Sequence, residues 1–142
     1  MAILAEIGVI TDSDVLQAAL LHDTIEDTET SSEEIETYFG QRVREIVNEV
    51  SDDTTLKKHV RKARQVEHAS QISKDAQVLK LADKIANVFD VAFSKPVDWA
   101  PDRQLEYFDW ASKVVAGLRG CNSALEREFD EQLARSRSAV KV

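Results

Sequence analysis

Residues 75–93, DAQVLKLADKIANVFDVAF, constrain the fold of this chain more than any other stretch. Val78, Leu81, Ala82, Ile85, Val88 and Phe89 recur at intervals of three and four, the period of an α-helix and not of a strand. With only 4 Gly and 2 Pro in 142 residues, long helices are favoured over a turn-rich β fold. A helix VLQAALLHD is expected behind the N-cap residues Thr11, Asp12 and Ser13, with its AALL run as core. Another starts at the capping-box spacing of Ser31 and Glu34, runs to Tyr38-Phe39 and stops at Gly40. QRVREIVNEV, 41–50, places Val43, Ile46, Val47 and Val50 at helical spacing. SDDTT breaks that pattern and supplies a cap for a helix over about 56–69. Lys95-Pro96 closes the helix that begins at 75, and further helices cover 101–118 and about 122–137. No strand and no repeat is read. The expectation is an all-α single domain of about six or seven helices. In it, residues 1–8 are the end of a helix closed by Gly8, and 138–142 are a tail.

Composition narrows the function classes. Hydrophobic residues at 43% and charged residues at 31% describe a globular, soluble chain. Lys and Arg total 18 against 26 Asp and Glu, a net charge of −8. Such a chain lacks the basic surface of a general nucleic-acid binder, and an anionic ligand would need a local basic patch. Lys57, Lys58, Arg61, Lys62 and Arg64 on one helix supply such a patch; a solvated helix face explains most of them as well. No apolar run is long enough to cross a membrane, and MAILAEIGVI, with Glu6 and no basic start, does not read as a secretory signal. The single Cys121 forms no internal disulfide, fits a reducing cytoplasm and reads as an inert residue near a helix junction.

Two acidic interruptions of apolar helices carry chemistry. His22, Asp23, Glu26 and Asp27 lie three and four apart, so they cluster at the C-terminal end of the AALL helix. Carboxylates there face the unfavourable end of the helix dipole and repel one another, a cost that a bound cation would offset. A histidine with carboxylates suits Mn, Fe or Zn, although a solvated helix end fits the cluster too. Asp83 interrupts the longest apolar helix, with Lys80 and Asn87 on the same stripe. An ion pair with Lys80 or Lys84 is the alternative to a metal role for Asp83. Tyr107, Phe108 and Trp110 fall together; Phe108 and Trp110 read as core aromatics, and Tyr107 equally as core or as a ligand contact.

HDTIEDT followed by LKLADKIAN, with QVEHA and EYFDWASKVVAGLRG, resembles the HD-domain (p)ppGpp hydrolases of the RelA/SpoT type. The likeness is greatest to the small single-domain alarmone hydrolases of the metazoan SpoT-homologue kind. The resemblance implies an HD-domain helical bundle over 1–142 and a cytoplasmic, Mn²⁺-dependent enzyme. That enzyme converts (p)ppGpp and water to GDP or GTP and pyrophosphate. It implies His22, Asp23 and Asp83 as metal ligands and Glu26 and Asp27 as the pair that orients or deprotonates the attacking water. Lys58, Asn87 and Tyr107 are implied to bind the guanine nucleotide. The family also has a His-Pro histidine ligand and basic residues ahead of the HD helix. No histidine precedes His22 here. The expectation is therefore an N-terminally shortened domain, either cut from a normal enzyme or a remnant with impaired catalysis, and either less stable or self-associating through the surface the missing helices would cover. Two other functions stay open: a non-catalytic HD-fold module that binds a nucleotide or protein, and a phosphohydrolase for another nucleotide such as NADPH.

Overall fold

The computed structural model describes residues 16–18, 21, 32–51, 53, 55–94 and 99–140. Their order is α1 (Ser32–Phe39), α2 (Gln41–Val50), α3 (Lys58–His68), α4 (Lys74–Phe93), α5 (Pro101–Ala116) and α6 (Ser123–Ala139), with no strand among the described residues. Leu16, Gln17, Ala18 and Leu21 are also helical. Ala18 is buried, and Leu16 and Leu21 pack against the core. The Ser31 capping box and residues 95–98 with Lys95-Pro96 lie outside the described residues, as do residues 1–8.

α4 is the axis of the bundle. Val78, Leu79, Leu81, Ala82, Ile85, Val88 and Val91 are buried, as are Lys80 and Lys84. A helix covered on so many sides needs neighbours all round. α6, α5 and α2 pack on it, α1 packs on α2, and α3 packs on α5. Side chains also tie α4 to these neighbours. Ser136 Oγ of α6 donates to the Val88 carbonyl at 3.2 Å, Gln104 Nε2 of α5 to the Val91 carbonyl at 3.0 Å, and Lys80 Nζ to the Val50 carbonyl at 3.1 Å.

Local signals explain most boundaries. Ser73 caps α4 by accepting from Ala76 N, and Asn122 caps α6 by accepting from Leu125 N. Pro101 occupies the first turn of α5, where its missing N–H costs nothing. Gly40 joins α1 to α2 at φ 99°, a conformation that favours glycine. Two expectations need correction. Among the described residues of SDDTT, Asp53 does not cap α3: its Oδ1 accepts from Thr55 N and Oγ1 at 3.0 and 2.6 Å, and Lys57, at the N-cap of α3, makes no side-chain cap bond. The Asp53 acceptor is consumed by its own tight turn. Phe89 is not core. It is 47% exposed and stacks on Phe93, one turn on, at 5.1 Å, because its neighbours Val88 and Val91 take the inward directions.

Candidate active site

Asp83 and Asn87 stand one turn apart on α4, and Asn87 Nδ2 donates to Asp83 Oδ2 at 3.1 Å. The Lys84 ammonium lies 3.9 Å from the same oxygen, while Lys80 is directed to the Val50 carbonyl instead. The Lys84 side chain is only 4% exposed and Asp83 29% exposed, so the charge pair sits at the edge of the core. Burying an ammonium is costly without compensation. Lys84 has two sources of it, the Asp83 carboxylate and the Trp110 ring, whose centroid is 4.4 Å from Nζ.

α5 presents Arg103, Tyr107 and Trp110 on one stripe, four and three residues apart. Tyr107 touches Trp110 at 5.4 Å and, edge-on, Trp99 at 5.7 Å between ring centroids. α3 adds Lys58 and Lys62. The Lys62 ammonium lies over both Trp110 (4.9 Å) and Tyr107 (5.6 Å), and Lys58 over Trp99 at 6.0 Å. Arg103 stacks on the same Trp99 ring at 4.0 Å. Trp110 Nε1 donates to the Lys62 carbonyl at 3.1 Å, which fixes α3 against α5. The result is a wall of aromatic faces and the cations Lys58, Lys62, Lys84 and Arg103 beside the Asp83 carboxylate.

The electrostatics follow from that crowding. Burial lowers the pKa of the Lys62 ammonium, and the charges of Lys58 and Arg103 lower it further, against Glu106. Burial pushes the Tyr107 phenol well above the ordinary tyrosine value; Asp83 adds to this and the Asn87 hydrogen bond opposes it. Tyr107 is therefore a hydrogen-bonding phenol at neutral pH and not a base.

Asp83 and Asn87 thus lie beside Tyr107, and Lys58 is linked to them through the Trp99 ring. His22, Asp23, Glu26 and Asp27 lie outside the described residues. Among the described residues no group of three His, Cys, Asp or Glu side chains is placed to hold a metal ion. The donor chemistry still fits one: Asp83 offers a partly exposed carboxylate, and hard oxygen donors suit a divalent ion. Sequence reasoning missed Arg103 and Trp99 and left Lys62 and Lys84 without a ligand role; Trp110 packs against the core as read. Phe108 is buried, whereas Trp110 is half-buried and faces two lysines. The spacing of 103, 107 and 110 is the signal that would have joined them.

The family model described as the HD domain matches residues 1–106. A relative from Xenopus tropicalis, guanosine-3′,5′-bis(diphosphate) 3′-pyrophosphohydrolase MESH1, is 54% identical over 138 residues, covering 97% of this chain and 77% of its own. Among solved structures, a metazoan ortholog of SpoT that hydrolyzes ppGpp matches with a TM-score of 0.89 and 46% identity, over 94% of this chain and 75% of that one. A Listeria monocytogenes protein matches with a TM-score of 0.75 and 26% identity, over 98% of this chain and 91% of its own.

Proposed function

This chain belongs to the HD-domain family, and from that premise we propose that it is a metal-dependent guanosine-3′,5′-bis(diphosphate) 3′-pyrophosphohydrolase. The reaction is (p)ppGpp and water to GDP or GTP and pyrophosphate. The observation that carries the proposal is the pairing of Asp83 and Asn87 with the wall of Lys58, Lys62, Arg103 and Tyr107. A carboxylate suited to a cation beside a cationic, aromatic wall is what a polyphosphorylated nucleotide requires.

In this reading His22, Asp23 and Asp83 hold the metal, with Mn²⁺ as the ion. When bound, it supplies positive charge and polarisation at the phosphoryl oxygens. Asn87 holds the Asp83 carboxylate in one orientation through its 3.1 Å hydrogen bond. Glu26 and Asp27 position the attacking water, and one of them accepts its proton as general base. Lys58, Lys62 and Arg103 neutralise substrate phosphates. Tyr107, protonated, donates a hydrogen bond to the nucleotide. The chemistry belongs to a cytoplasmic enzyme, and among the described residues no helix is long and apolar enough to cross a membrane.

The test is ppGpp turnover with added Mn²⁺, with pyrophosphate release measured for wild type and Glu26→Ala. We expect the variant to lose about 100-fold or more, the usual range for removing a general base. A wild type no faster than Glu26→Ala overturns the catalytic reading. Bound Mn²⁺ that is undiminished in Asp83→Ala removes Asp83 from the ligand set.

A further inference from the structure

α3 divides its cations between two clefts. Lys58 and Lys62, four apart, face the aromatic wall described above. Arg61, Arg64 and His68 are turned onto the neighbouring face, where they line a separate cavity of about 210 Å³. The C-terminal end of α2 (Glu49), the turn at Asp53 and the first turns of α4 (Lys80) close it. None of Asp83, Asn87 and Tyr107 lines this cavity.

The charge balance of the cavity is unusual for a chain of net charge −8. Its two carboxylates each accept hydrogen bonds from neighbouring turns, and Asp53 also faces the charge of Arg64. Glu49 Oε2 accepts from Ser73 N and Oγ at 3.0 and 2.7 Å, and Asp53 Oδ1 from Thr55. Among the described residues neither Arg61 nor Arg64 joins an ion pair. The Nε–H of Arg61 is buried and has no hydrogen-bond partner. A buried guanidinium donor with nothing to bond is costly, and cationic forks of this kind match phosphate oxygens.

We infer that the cavity behind α3 is a binding site for a small phosphate-class oxyanion, distinct from the catalytic cleft. The Nε–H of half-buried Arg61 is its inward donor, and Arg64 supplies charge at the rim. This inference is independent of the reaction assigned to the catalytic cleft.

Inorganic phosphate titrated into the full chain tests it, followed by backbone amide NMR and by thermal melting. Wild type is expected to give saturable shifts in α3 and a melting temperature that rises with phosphate. Arg61→Met should weaken binding about 10- to 100-fold, the range for loss of a charge-assisted hydrogen bond. Arg64→Met should weaken it less, and Asp83→Asn should leave it unchanged. In phosphate-free buffer Arg61→Met should melt no lower than wild type, because the unmet donor is gone. Should that variant not fold, Arg61→Lys keeps the charge, loses the fork and is expected to bind more weakly than wild type. Three results overturn the inference: no saturable response in wild type, Arg61 variants that bind like wild type, or loss of binding in Asp83→Asn alone.

Discussion

Single residues in this molecule are tuned by what lies over them more than by their type. Trp110 is an aromatic at a helical position, and its stripe reads the same whether methyl groups or ammonium groups cover it. Only the fold shows that Lys62 and Lys84 lie over its ring. Asp83 was legible because it breaks an apolar period; Arg103 and Trp99 were not, because they sit where charged and aromatic residues are unremarkable. Cys121 was read as inert, and its setting gives the reason. It is buried, and burial, followed by the charge of Glu126, raises the thiol pKa. A raised thiol pKa means less thiolate at any given pH, and the thiolate is the reactive form. At about pH 8 the native chain should therefore react with a disulfide reagent at least ~10-fold more slowly than the denatured chain, the gap narrowing as pH rises. Equal rates in the two states would show the thiol to be accessible and unshifted.

At the scale of elements, helix existence was readable and helix contacts were not. The apolar periods of 41–50 and 75–93 located α2 and α4 to within a residue, since a repeat of that length fits no other structure. The SDDTT turn misled, because the same side chains that cap helices also close local turns, and sequence does not say which donor is nearer. Nor does sequence explain Gly117, which stands just after α5 where a glycine reads as a plain stop signal. Its lack of a side chain lets α5 approach the end of α3. An added Cβ would meet the Cβ of Ala69 at 2.7 Å and the Ser70 nitrogen at 3.2 Å. Gly117→Ala should therefore cost about 1–3 kcal/mol through overpacking. For a chain of this size that is a fall in melting temperature of roughly 2–4 °C per kcal/mol. An unchanged melting temperature would mean the junction relaxes freely.

Taken whole, the bundle places its chemistry around one buried helix and one exposed one. α4 is core on nearly every side, whereas no residue of α3 is buried. Yet α3 carries Lys58 and Lys62 for one cleft and Arg61 and Arg64 for the other. Segments with little buried apolar surface open at a free energy well below that of global unfolding. Native-state hydrogen exchange should thus find α3 amides opening at lower free energy than those at the centre of α4. Equal protection in the two helices would contradict this. The consequence is kinetic. A single local opening of α3 would withdraw its cations from both clefts at once, so the two sites share one clock even though they share no ligand.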